Sequence, residues 1–221
     1  GYLFLLPAIL FLILIFFYPL IETFRISLYN WRLLSPFRPF VGLSNYRFVL
    51  NNQRFLKSLY NTVVYTLGVV PAELVLGFIL AMALNRKELP WKGFFTTVYY
   101  IPVVTSMVAV AFIWRWLYEP SHGLINYIAG LLGLPQLRWL LDAKTALLSV
   151  MITSVWKAVG NSMVIFLAGL RNIPREYYEA AEIDGAGRWQ VLRFITLPLI
   201  NPTMVFLVIT SFIGSFQVFN Q

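Results

Sequence analysis

Two groups of residues in this sequence have side chains fit for chemistry or recognition. The first is the stretch "EYYEAAEIDGAG", positions 176 to 187, which holds Glu176, Glu179, Glu182 and Asp184, four of the nine acidic residues in the chain. With Arg175 as the one cation, residues 175 to 184 sum to a charge of minus three. Carboxylates three residues apart share one side of a helix, and Ala180 and Ala181 leave room for a partner to approach. An amphipathic helix lying on lipid is the alternative, but such helices meet anionic headgroups with Lys and Arg, and an acidic one is repelled. The stretch therefore reads as a helix that docks to a protein bearing basic residues. The second group is intramembrane. Glu73 and Lys157 interrupt long apolar runs, and a charge at mid-bilayer costs about 2.5 to 3.5 kcal/mol, so each faces protein or a water-filled cavity. Ser154, Lys157 and Asn161 share a helix face at i, i+3 and i+7, as Ser211 and Ser215 do on a later run. Hydroxyl, amide and ammonium groups in such a row suit the path of a polyhydroxylated solute. The other reading is structural: Ser and Asn join helices, while Lys157 snorkels or pairs with Glu73.

The elements that position these residues follow from composition. The chain is 59% hydrophobic and 12% charged, with a mean hydropathy of +0.74, which describes an all-α membrane protein. Its net charge of +8 comes from Lys and Arg between apolar runs, not from a basic stripe for nucleic acid. With no Cys and one histidine, His122, thiol catalysis, disulfides and most zinc sites are excluded. His122 lies in a turn-rich stretch, "EPSHGLIN", and is assigned no role. Trp114, Trp116, Tyr118 and Trp139 fall near predicted span ends, as in an interfacial aromatic belt. A membrane enzyme would need a catalytic set, but there is no H-E-x-x-H, no G-x-S-x-G and no pair of carboxylates within a span. No phosphate-binding G-x-x-x-x-G-K-[ST] run is present either.

Crossing the hydrocarbon takes about 20 apolar residues, and five stretches qualify: about 2–28, 58–85, 93–117, 145–170 and 199–221, forming one domain over 1–221. The third reads as an uninterrupted span. The chain opens and closes inside apolar runs, so a longer polypeptide with a sixth helix beyond Gln221 is expected. The connectors 85–92 and 171–193 carry Arg86, Lys87, Lys92, Arg171, Arg175, Arg188 and Arg193, while eight cations are diluted over the longer remaining connectors. Density of positive charge puts the first pair of connectors in the cytoplasm. Pro174 after Asn172 starts the acidic helix, and Gly185 stops it about three turns later.

The segment after the fourth span resembles the cytoplasmic signature of the transmembrane subunits of binding-protein-dependent ABC importers. That signature reads Glu-Ala-Ala, three residues, Gly, nine residues, Ile, one residue, Leu-Pro. It falls on Glu179, Ala180, Ala181, Gly185, Ile195, Leu197 and Pro198 with every spacing kept. "FVGLSNY" at 40–46, "EPSHGLIN" at 119–126 and "RNIPREYYEAAEIDGAG" are similar to the branch that imports sugars and glycerol phosphates. The resemblance implies a helical bundle of the type I importer permease kind, in a prokaryotic cell membrane, that carries a sugar or oligosaccharide. It implies two ATPase subunits holding ATP and Mg, a second and related permease subunit, and an extracytoplasmic solute-binding protein. It implies coupling through Glu176, Glu179, Ala180, Ala181, Asp184 and Gly185 in the loop 171–198, with Glu179 meeting a basic partner. It also lends Ser154, Lys157, Asn161, Ser211 and Ser215 their place near the substrate path. The rival is a secondary transporter that uses Glu73 and Lys157 as an ion relay.

Overall fold

A computed structural model describes residues 2–32, 37–86 and 89–217; Lys87 and the end of the fifth predicted span, 218–221, lie outside the described residues. The chain divides into two compact units, residues 1–60 and 61–221.

In the first unit, α1 (Tyr2–Leu12) and α2 (Tyr18–Ser27) are joined through a π-helical turn, Ile13–Phe17. The wide turn has a cause in Pro19. A proline ring clashes with the carbonyl four residues back, here that of Ile15, and a π turn is one way a helix relieves such a clash. The same device recurs in the second unit, where the π turn Leu192–Thr196 stands two residues ahead of Pro198 and contains Phe194, four residues back from it. After α2, the Asn45 side chain donates to the carbonyls of Ser27 (2.8 Å) and Tyr29 (3.0 Å) and fastens α3 (Ser44–Leu50) beneath the end of α2. Asn52 then begins α4 (Gln53–Asn85) by accepting from the Arg54 N–H at 2.9 Å, an N-cap bond.

The core of the second unit lies among α4, α8 (Ala146–Arg171) and α11 (Leu197–Phe216). Val70, Leu74, Ala81, Met163, Phe166, Leu167, Ile200 and Leu207 are buried there. Phe78 meets Phe166 edge to face, with ring centroids 5.3 Å apart. These helices bury one stripe each and leave the rest of their apolar surface exposed, as lipid-facing helices do. Among the described residues, four helices are long and apolar enough to cross a membrane: Phe4–Ser27, Gln53–Asn85, Ala146–Arg171 and Arg188–Phe216.

The third predicted span differs from expectation. Residues 93–117 do not form one straight helix but α5 (Lys92–Val104) and α6 (Met107–Leu117), bent by 99° at Thr105 and Ser106. Both of these residues take extended backbone angles, with ψ of 136° and 137°. Pro102 contributes by withholding a backbone donor in the last turn of α5. Five crossings therefore stand only if the bent pair counts as one.

The aromatic residues expected near span ends largely pack together. Trp114, Tyr118, Trp139 and Trp156 pack on one another, with centroids 5.2 to 5.6 Å apart. Tyr118 is buried and donates to the Ser149 carbonyl at 2.9 Å. Of Trp114, Trp116, Tyr118 and Trp139, Trp116 alone is exposed. Below this cluster, Asn126 on α7 (Leu124–Leu131) organises the long connector. Its amide donates to the carbonyls of Pro120 (3.0 Å) and Leu137 (2.8 Å), and its oxygen accepts from Leu137 N–H (3.2 Å) and Trp139 Nε1 (2.8 Å).

Candidate functional site

The acidic stretch folds as α9 (Arg175–Ile183), with Pro174 at its N-cap position. Its end is a Schellman motif: Gly185 sits at φ +71°, its N–H reaches the Glu182 carbonyl (3.1 Å), and Ala186 N–H reaches that of Ala181 (2.9 Å). The left-handed backbone there is why a glycine follows the helix. The next helix, α10 (Arg188–Val191), opens with the Gly187 N–H donating to the Gln190 side chain at 2.7 Å. It continues through the π turn into α11.

One face of α9 is anchored and the rest is free. Ala181 and the preceding Ile173 are buried, Tyr178 packs against the core, and its hydroxyl lies 3.4 Å from Thr196 Oγ1. Glu176, Glu179, Glu182 and Asp184 are all exposed, and among the described residues none has an ion-pair partner. Between α9 and the helix that follows runs an open groove of ≈ 730 Å³, floored by Ala180, Ala181 and Gly185 and flanked by Glu176, Asp184 and Phe194. The small side chains that the sequence suggests leave room do form a depression. The four carboxylates are not gathered on one side of it: Glu176 and Asp184 line the groove, while Glu179 and Glu182 are exposed outside it. Of the remaining signature residues, Ile195 lines the groove, and Leu197 and Pro198 continue the helix beyond the π turn.

The intramembrane candidates fall into separate seams. Ser211 donates to a carboxyl oxygen of Glu73, and Ser215 donates to Thr66 Oγ1 at 3.1 Å, so both serines join α11 to α4. Lys157 does not meet Glu73. Its Nζ donates to the backbone carbonyls of Pro102 (3.1 Å), Val103 (3.3 Å) and Thr105 (2.8 Å) at the bend between α5 and α6. Ser154 is buried and donates to the Val150 carbonyl at 2.7 Å. Asn161 alone of the five is exposed. Sequence reasoning missed Thr66 and the bend carbonyls; only Pro102, a proline inside an apolar run, hinted at the latter. His122 is an exposed loop residue whose backbone N–H donates to the Glu119 carboxylate, and no group of His, Asp and Glu able to hold a metal occurs among the described residues.

Long apolar helices, a bent pair, and an anchored acidic helix between two of the spans define a multi-pass helical membrane protein. Residues 73–219 match the family described as binding-protein-dependent transport system inner membrane component, and the chain belongs to that family. It is 38% identical over its whole length to the probable ABC transporter permease protein YurN of Bacillus subtilis, covering 76% of that protein. It is 34% identical to the lactose transport system permease protein LacF of Rhizobium radiobacter, over 100% of this chain and 74% of the relative. It is 35% identical to the trehalose/maltose transport system permease protein MalF of Thermococcus litoralis, again over 100% and 74%. Among solved structures, one of a bacterial alginate ABC transporter in complex with alginate pentasaccharide-bound periplasmic protein matches with a TM-score of 0.78 and 26% identity, over 95% of this chain and 70% of that one. The chain is thus a permease subunit of a binding-protein-dependent ABC transporter, which favours that reading over an ion-gradient relay. The separation of Glu73 from Lys157 agrees with it.

Proposed function

We propose that this subunit carries a sugar or oligosaccharide inward. The solute is delivered by an extracytoplasmic binding protein. Two partner ATPase subunits supply the energy by hydrolysing ATP with Mg, and a second, related permease chain completes the pathway. The loops 85–92 and 171–198 face the cytoplasm, and α9 seats on an ATPase subunit through Glu176, Glu179, Ala180, Ala181, Asp184 and Gly185. One observation carries this reading: α9 is fixed to the core on one face while its three carboxylates and that of Asp184 at its C-cap stand exposed, with no ion-pair partner among the described residues. A helix held so firmly, with four acidic groups against the single cation Arg175, suits a basic groove on another protein. The saccharide class is supported by the relatives, permease proteins of lactose and trehalose/maltose transport systems among them.

Within the solute path, Ser154, Lys157, Ser211 and Ser215 are held in helix contacts and play a lining part at most through their flanks, so we assign Asn161 the leading contact. The test is Glu179→Lys in the assembled complex, reconstituted with its binding protein and scanned across saccharides. An exposed ion pair is worth up to about 1 kcal/mol and a partly buried one more, so assembly survives while solute-stimulated ATP hydrolysis and uptake fall. Full uptake in Glu179→Lys refutes the docking role. Stimulation by no saccharide in the native complex refutes the substrate class.

A further inference from the structure

The bend between α5 and α6 ends the α5 ladder early and leaves helix-terminal carbonyls without partners in their own helix. Thr105 covers one of them from within the turn: its N–H and its hydroxyl both reach the Ile101 carbonyl, at 3.2 and 2.8 Å. The carbonyls of Pro102, Val103 and Thr105 are covered from another helix, by Lys157 Nζ of α8 at 2.8 to 3.3 Å. An ammonium has three N–H donors, and here three acceptors surround it. Its charge also suits the negative end of the α5 dipole. Three residues further along α8, Gly160 lies against the Tyr99 carbonyl, where any Cβ would overlap it. At these two points α5 is pressed onto α8 and pinned to it. Continuing from there, α8 reaches α9 through Asn172, Ile173 and Pro174 alone.

We propose that Lys157 is a positioning residue that locks the 99° corner to α8, so that α5 and α8 move as one body and the outer half, α6, turns at Thr105 and Ser106. A displacement of α9 is then handed along α8 to the corner. This last step rests on the coupling role proposed above for α9, whereas the lock itself does not.

The chain has no Cys, so spin labels are placed at Phe94→Cys on α5 and Phe112→Cys on α6, both exposed, in the assembled complex without nucleotide. Electron–electron distance measurement is expected to give one narrow distribution with Lys157 in place. Lys157→Met is expected to broaden it or add a second distance, and Lys157→Arg, which keeps the cation, to restore it. A native distribution in Lys157→Met overturns the lock. Should the Met variant not assemble, Lys157→Gln, with two N–H donors on a shorter stem, decides by the same two outcomes. In the same samples, uptake per ATP hydrolysed is expected to fall at least about tenfold in Lys157→Met; a broadened distance with unchanged uptake per ATP overturns the transmission step. Failure of the α9 reading is seen separately, as full uptake by Glu179→Lys with Lys157 intact.

Discussion

A carboxyl group among apolar helices has to find a donor, and Glu73 finds one in Ser211, which lies 138 positions away in sequence. That distance explains why sequence reasoning marks Glu73 as unusual but leaves its partner open between Lys157 and none. Lys157 is harder still, because its partners are backbone carbonyls, which carry no side-chain signature. Replacing Glu73 by Leu removes the acceptor of Ser211 and one link between α4 and α11. Interhelical hydrogen bonds in membranes are worth about 0.6 to 2 kcal/mol, so Glu73→Leu is expected to lower the thermal midpoint of the detergent-solubilised complex. Glu73→Gln keeps a carbonyl oxygen for Ser211 and is expected to stay near native. Equal midpoints for the two variants would show that the bond contributes nothing. Asn126 presents a larger stake, with four bonds through one amide. Leaving a buried donor or acceptor unpaired costs about 1 to 3 kcal/mol, so Asn126→Ala is expected to loosen the connector 118–145, read as faster amide hydrogen exchange at Leu137 than in the native chain.

Helices of this family member are legible where their cause is local. That α4, α8 and α11 are helices follows from apolar runs, and the end of α9 follows from Gly185. The corner between α5 and α6 is not legible in the same way, since a bent apolar run and a straight one have the same hydropathy. What distinguishes them is Pro102 together with a cation from α8, and that meeting exists only once the chain has folded. Likewise the spacing of Glu176, Glu179 and Glu182 suggests one common side. Three-residue steps in a helix of 3.6 residues per turn drift around it, and only Glu176 of the three reaches the groove. The cap of α9 gives a prediction of its own. A residue with Cβ in the left-handed region costs about 1 to 2 kcal/mol, less for Asn. Gly185→Ala is therefore expected to fray α9 and weaken ATPase binding to the purified permease, while Gly185→Asn keeps most of it; equal binding by Gly185→Ala and the native chain would show that the motif is not needed to hold the helix.

Across the whole molecule, the side of the membrane on which α9 emerges depends on one element. The 26 residues of α8 span about 39 Å at 1.5 Å per residue, enough for a hydrocarbon core of about 30 Å. Whatever path the bent pair takes, a crossing by α8 puts the connector containing His122 and the helix containing Glu182 on opposite faces. The proposed orientation rests on charge density: Arg171, Arg175, Arg188 and Arg193 crowd the short segment at one end of α8, while Arg115, Arg138 and Lys144 are spread over the long connector at the other. Because the native chain has no Cys, single cysteines report without background. Both sites are exposed, so His122→Cys is expected to react with a membrane-impermeant maleimide in intact cells, and Glu182→Cys only after the membrane is opened. Labelling of both from one side would mean that α8 does not cross. Reversed labelling would place α9 outside, out of reach of any cytoplasmic ATPase, and the proposed coupling would have no route.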